Sequence, residues 1–367
     1  MRNILSRRRK GLFGFFAIVF AVSLIFSVGG GFFQTTEAQA KVTPQKGVWE
    51  EGSVPFNKAN PQVQAVLDVQ ERNTALLMEE PGVIGTAIGL SSEGRPVIFV
   101  LAESFESAKE AIIPSRIEGV PVIVKLTGKI EALKGRPVKP DTTKVDPTAR
   151  FDRPVPIGVS TGHPDITAGT IGCRVTDGTN VYALSNNHVY ANENNAQKDD
   201  PVLQPGAYDG GTLADAIGTL DQFVPISFSN DNEIDAAIAL SSQNDLGNAT
   251  PSDGYGMPKS QPIDAAIGQS VMKYGRTTSQ TKGRIWAINA TVNVQYDSGV
   301  ARFVNQIIIT PGSFSAGGDS GSLIVIQKGQ DARKPVGLLF AGSSSYTIAN
   351  PIGAVLDAFG VTIDGEE

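Results

Sequence analysis

Apolar and polar positions divide the chain into stretches with different periods. Residues 11–33 are almost unbroken apolar sequence. Residues 41–60 are polar with scattered Gly and Pro, and read as a flexible segment. Val63, Val66 and Leu67 then fall at the i, i+3, i+4 spacing of one helix face, and Leu77 and Met78 return to it. Gln70 and Thr74 interrupt that stripe, and Pro81-Gly82 stops it. Residues 83–90 and 96–101 read as two strands around a Ser-Ser-Glu-Gly-Arg turn, residues 104–112 as a short helix, and 120–126 as a third strand. This order predicts a small α+β domain over 61–133.

Pro137, Pro140, Pro147, Pro154 and Pro156 stand among Lys, Arg and Asp, so 134–156 has the composition of a linker. From 157 to 367 the period changes. Many short apolar runs alternate with clusters of Gly, Pro, Asn and Asp, and helical spacing is scarce, which predicts an all-β barrel or sandwich. Asp177-Gly178 between two such runs predicts a hairpin. Ile352, Val355, Leu356 and Phe359 restore helical spacing at the end.

Composition changes this picture in three places. The 367 residues are 41% hydrophobic with a net charge of −6, enough chain for about two domains. No basic excess points to nucleic acid or an anionic membrane as partner, and without residues 1–40 the net charge is about −10. Those residues combine Arg7-Arg8-Arg9-Lys10, the apolar run and Ala38-Gln39-Ala40, the order of an export signal cleaved after Ala40. The expected location is therefore secreted or extracytoplasmic, with no membrane contact after cleavage; the rival reading is an uncleaved anchor. The single cysteine, Cys173, forms no intramolecular disulfide and reads as a small core residue.

The chemistry centres on residues 315–322, Ser-Ala-Gly-Gly-Asp-Ser-Gly-Ser, ahead of an apolar strand. Gly317, Gly318 and Gly321 allow a tight turn that aims successive N–H groups into one space, as an oxyanion requires. A serine there needs a base. The chain has two histidines. His188 follows an apolar run, whereas His163 reads as a loop residue. Asp235 lies inside the apolar run Ile-Asp-Ala-Ala-Ile, which favours it over Asp231 and Asp215. The order His, Asp, Ser is one of three that convergent serine triads use.

At these residues the chain resembles the chymotrypsin-like (trypsin-like) serine peptidases, specifically their secreted bacterial members, over roughly residues 155–360. Gly-Asp-Ser-Gly at 318–321 carries the resemblance most strongly, and residues 233–240 match the aspartate strand. The histidine segment departs, reading Ser-Asn-Asn-His-Val where the family has Thr-Ala-Ala-His-Cys. The resemblance implies a mostly β fold of two antiparallel β-barrels, here preceded by the small α+β domain. It implies Ser320 as nucleophile, His188 as base and Asp235 as its orienting acid. Gly318 and Ser320 would supply the oxyanion-hole N–H groups. Phe314, six residues before the serine, would form the base of the primary pocket, where trypsin carries an aspartate, so small or apolar side chains are expected there. Ala341, Gly342 and Ser343 would line its wall and pair with substrate backbone. No cofactor or metal is called for, and the partner is a protein or peptide substrate. The segments 204–211 and 273–278 read as structural turns, with Arg276 structural.

Two rival classes stand beside a serine endopeptidase. An esterase of the Gly-x-Ser-x-Gly type is disfavoured, since Ser322 replaces the last glycine and both histidines precede the serine. A catalytically idle peptidase-like binding module is the stronger rival.

Overall fold

Asn60 starts the first helix: its side chain accepts from the Gln62 N–H at 2.9 Å, and Pro61 takes the first helical position, where no N–H is needed. The helix Pro61–Met78 buries Val63, Val66, Leu67, Val69 and Leu77 as the spacing requires. The computed structural model describes residues 55–133, 135 and 144–367. The export signal expected at 1–40 lies outside them, as do residues 134 and 136–143 of the expected linker.

Val83–Leu90 and Pro96–Ala102 form the expected antiparallel hairpin, and Val120–Leu126 joins it in parallel. Residues 104–112 are turns, not the expected helix. Ser104 and Ser107 exchange side-chain and backbone hydrogen bonds there, an alternative to helical pairing that such a short segment has little propensity to resist.

The N-terminal strands share a sheet with the C-terminal half. Val83–Leu90 pairs antiparallel with Ser279–Gln295, with Gly85 opposite Val292 and Ile88 opposite Ile288. Gln70 and Thr74, the breaks in the helical stripe, make the same junction. The Gln70 amide donates to Thr86 Oγ1 at 3.0 Å and to the Asn289 carbonyl at 2.9 Å, and accepts from Asn289 Nδ2 at 2.9 Å. Thr74 Oγ1 meets Thr86 Oγ1 at 2.8 Å. These buried polar groups are satisfied only in one register of helix on sheet, which fixes the docking.

The rest is mostly β, as the pattern predicts, in two lobes. In the first, Pro201–Leu203, Ala216–Phe223, Ala237–Ser241, Val181–Ser185 and Cys173–Thr176 pair in that order, and Thr362–Ile363 adds to the last. The Asp-Gly hairpin is observed: Gly178 takes φ +92°, and the Asp177 carboxylate accepts from the N–H groups of Thr179 and Asn180. In the second, Ser270–Gly275, Leu323–Ile326, Pro335–Gly342, Thr347–Pro351, Val300–Thr310 and Ser279–Gln295 pair in sequence, and the last pairs back to the first, closing the cycle. The helix Ile352–Phe359 buries Ile352, Val355 and Leu356. Residues 144–156 lie along the first lobe, where Val155 is buried and its N–H donates to the Asp245 carbonyl. Among the described residues no helix is long and apolar enough to cross a membrane.

Candidate active site

The run Val181–Ser185 ends in a single helical turn, Asn187–Tyr190, which carries His188. Asp235 precedes the strand Ala237–Ser241, the neighbour of Val181–Ser185 in the sheet, so strand pairing alone sets the two residues side by side. His188 Nδ1 lies 2.5 Å from Asp235 Oδ2, and the His188 backbone N–H donates to Oδ1 at 3.2 Å. Nδ1 therefore holds its proton against the carboxylate, and Nε2 is the free acceptor. Nε2 is buried and has no hydrogen-bond partner.

Asp235 is fully buried and is fixed by three further side chains. Asn186 Nδ2 donates to its carbonyl at 2.7 Å, and its N–H donates to Asn350 Oδ1 at 3.1 Å. The Tyr296 hydroxyl donates to Oδ2 at 2.8 Å, and its ring sits edge-on to His188 at 5.9 Å between centroids. Burial first, and then the charge of Asp235 and the bond to it, hold the Tyr296 phenol well above its ordinary pKa. Nothing in the motif pointed to Tyr296, which lies 61 positions from Asp235. Asp231 and Asp215 are elsewhere: Asp231 pairs with Arg302 on the surface, and Asp215 with Arg150. His163 Nδ1 accepts from the Asp165 N–H at 3.1 Å and its Nε2 faces Asp200 at 3.2 Å, apart from this cluster.

Ser320 follows the glycine turn in the second lobe. Gly318 has φ +99°, and a Cβ there would lie 2.6 Å from Thr277 Oγ1; Gly321 has φ +92°, and a Cβ there would lie 2.2 Å from Ser185 Oγ and from the Thr170 carbonyl oxygen. Both positions demand glycine on conformation and on space. Asp319, fully buried, organises the loop. Its carboxylate accepts from the N–H groups of Ala316, Thr277 and Thr278, from Thr278 Oγ1 at 2.7 Å, and from Lys273 Nζ at 3.2 Å. Lys273 is itself fully buried. Desolvation pulls its pKa down and Asp319 pulls it back up. This lone lysine in the strand Ser270–Gly275 is the sequence feature that marks the pair.

The short strand Gly169–Thr170 ties the two lobes. The Thr170 N–H donates to the Ser320 carbonyl at 2.8 Å, Thr170 Oγ1 donates to the Gly318 carbonyl at 2.9 Å, and Ser185 Oγ donates to the Thr170 carbonyl at 2.8 Å. Ser320 Oγ itself donates to the Phe340 carbonyl at 3.1 Å, not to His188. The Gly318 N–H donates to the Leu133 carbonyl at 3.0 Å.

Phe314 is fully buried in the second-lobe core, and its carbonyl accepts from Thr281 Oγ1. Ala341 and Gly342 pair with the chain's own Ala132 and Glu131. Ser343 Oγ donates to the Thr127 carbonyl, holding a turn. Arg276 is structural: fully buried, it donates to Asp209 through Nε at 2.7 Å and stacks over Tyr208. That makes the 204–211 turn an internal anchor as well as a surface loop. Burial raises the Cys173 thiol pKa far above its ordinary value, as befits a core residue. Among the described residues no three His, Cys, Asp or Glu side chains gather to hold a metal ion.

Residues 224–350 match the Nal1 C-terminal domain family. Protein NARROW LEAF 1 of Oryza sativa subsp. japonica is 27% identical over 212 residues, covering 49% of this chain and 35% of that protein. Glutamyl endopeptidase 2 of Streptomyces griseus is 31% identical over 111 residues, covering 28% of this chain and 52% of that protein. The chain thus spans about half the length, or less, of these curated relatives. A solved glutamic-acid-specific serine protease, described as using a histidine triad in substrate binding, superposes with a TM-score of 0.43 at 24% identity, covering 57% of this chain and 100% of that one. The chain is similar to bacterial chymotrypsin-like serine proteases.

Proposed function

We propose that the protein is a serine endopeptidase that hydrolyses peptide bonds through an acyl-enzyme intermediate. Ser320 is the nucleophile, His188 the base that takes its proton and returns it to the leaving amine, and Asp235 the acid that holds the imidazole tautomer and stabilises its charged form. Gly318 and Ser320 supply the oxyanion donors. The observation that carries the reading is the buried His188–Asp235 pair with an unpartnered Nε2, tied through Ser185 and Thr170 to the loop that bears Ser320. Peptide or protein is the substrate class, and the signal-like residues 1–40 support export.

One observation favours the idle binding module instead: Ser320 Oγ is bonded to the Phe340 carbonyl. The two readings part on a diverse peptide library with mass-spectrometric readout. The endopeptidase cleaves members of the library, and Ser320→Ala lowers the rate by about 10⁶-fold, the usual cost of losing a triad nucleophile. Cleavage of no member, or equal cleavage by Ser320→Ala, would favour the binding module.

A further inference from the structure

His188 shares the wall of a pocket with residues of both lobes. The pocket, about 220 Å³, has an apolar part formed by Ile166, Ala168 and Val189. Three carboxylates also line it, and each comes from a different segment: Asp165, Glu193 and Asp297. The described lining includes no lysine or arginine.

Glu193 is set in place by the segment where this chain departs from the peptidase pattern. That pattern has two alanines before the histidine; this chain has Asn186-Asn187. Asn187 is fully buried. Its Nδ2 donates to Asn194 Oδ1 and to the Val224 carbonyl, each at 2.8 Å, and its Oδ1 accepts from the Asn194 N–H at 3.1 Å. This clasp closes the loop that follows the helical turn. Within the loop Asn192, Glu193 and Asn194 take φ of +47°, +51° and +73°. Asparagine tolerates that left-handed conformation, and Glu193 is carried between the two. Glu193 is 8% exposed, and its carboxylate accepts from the N–H groups of Asp297 at 3.3 Å and Ser298 at 2.9 Å, on the second lobe. The two lobes together therefore fix this carboxylate at the pocket.

The lining suits a long basic side chain. Its apolar part can pack a methylene stem, and its carboxylates can accept from the charged head. An acidic side chain would meet like charge from three segments. A second, independent sign of a ligand is His188. It is 6% exposed, its ring lines the same pocket, and Nε2 is buried without a hydrogen-bond partner. The imidazole that serves the cut bond and the three carboxylates thus share one wall.

We infer that this pocket is a substrate subsite that selects a lysine or arginine side chain within two residues of the cut bond, with Glu193 as its chief determinant. The inference rests on the endopeptidase reading above and names its substrate class, peptides with a basic residue beside the cut. Phe314, expected at the base of the primary pocket, does not line this one.

The full chain tests this on a diverse peptide library with mass-spectrometric readout, and then on matched peptides with lysine or norleucine at the selected position. Norleucine keeps the stem and removes the charge. The inference expects Lys and Arg to be enriched at one fixed position within two residues of the cut, and kcat/KM to be higher for lysine than for norleucine. Glu193→Gln removes the charge and keeps an acceptor for the Asp297 and Ser298 N–H groups. It should lower the lysine-to-norleucine ratio by about tenfold or more, the scale of a desolvated charge pair. Asp165, whose side chain is 77% exposed, gives the second variant: Asp165→Asn should lower the ratio by about threefold, the scale of an exposed pair. Cleavage without enrichment of Lys or Arg, or a ratio unchanged in both variants, overturns the inference and leaves the endopeptidase reading standing. If no library member is cut and Ser320 never labels with a fluorophosphonate, both fall together.

Discussion

Around His188 the hydrogen bonds leave Nε2 free; around Ser320 they engage Oγ. In the first lobe, Asp235 accepts from the imidazole, from the His188 N–H and from Tyr296, and Nε2 is left bare. In the second, the backbone of the glycine turn is set by Asp319, yet Ser320 Oγ is tied to Phe340 and the Gly318 N–H to Leu133. One half leaves an acceptor unpartnered; the other has its donors occupied by the protein's own carbonyls. The contrast teaches that preorganisation and availability are separable: buried polar contacts fix the geometry of both halves, and the two-residue strand Glu131–Ala132 with Leu133 lies against one.

The largest effect on the first half comes from Asp235→Asn. The amide keeps the shape and removes the charge, so the imidazole takes the wrong tautomer. Peptide hydrolysis should fall by about 10⁴-fold with the fold retained. A fall no greater than that of Asp231→Asn, read from kcat/KM beside a circular dichroism spectrum, would dissolve the distinction between the halves.

Lys273→Met probes the second half. It leaves the fully buried Asp319 carboxylate without its cation, at a cost of about 3–5 kcal/mol in unfolding free energy from urea titration. Lys273→Met/Asp319→Asn together should recover part of that loss, since the penalty is the unpaired charge. An unchanged midpoint for the single variant would remove the pair as organiser of the serine loop.

Tyr296→Phe is the smallest change and the sharpest on sign. At neutral pH it should cost about 1.5–3 kcal/mol, the range for a hydrogen bond to a charged group. Burial and Asp235 raise the folded phenol pKa above its unfolded value. The contribution is therefore intact below about pH 10, where the unfolded phenol begins to ionise, and is lost as pH climbs toward the folded value. The stability gap between wild type and variant should narrow as pH rises above about 10, the ordinary phenol value. A gap constant across the range would mean that Tyr296 does not donate to Asp235.

The same contrast marks how far the sequence could be read. Asp235 was legible because an acid inside Ile-Asp-Ala-Ala-Ile has to face a partner, whereas Asp231 sits among polar neighbours. The glycine turn at 317–321 was legible because its residue types permit few other conformations. Tyr296 and Asn350 were not, since an apolar period reports which residues are buried and is silent on which distant polar group each one meets. Gln70 and Thr74 broke a helical stripe because they bond to Thr86 and Asn289 across the sheet. Residues 104–112 had apolar spacing compatible with a helix, but Ser104 and Ser107 satisfy the backbone locally. The strand at 131–132 is two residues long, too short for any period, and its identity lies wholly in what it pairs with.

The claim on which all of this depends is that Ser320 is an activated nucleophile. Prolonged incubation of the full chain with a fluorophosphonate, followed by digestion and tandem mass spectrometry, tests it directly. The account predicts one adduct on Ser320 Oγ, lost in His188→Ala. Absence of that adduct in wild type, or its undiminished formation in His188→Ala, would contradict it.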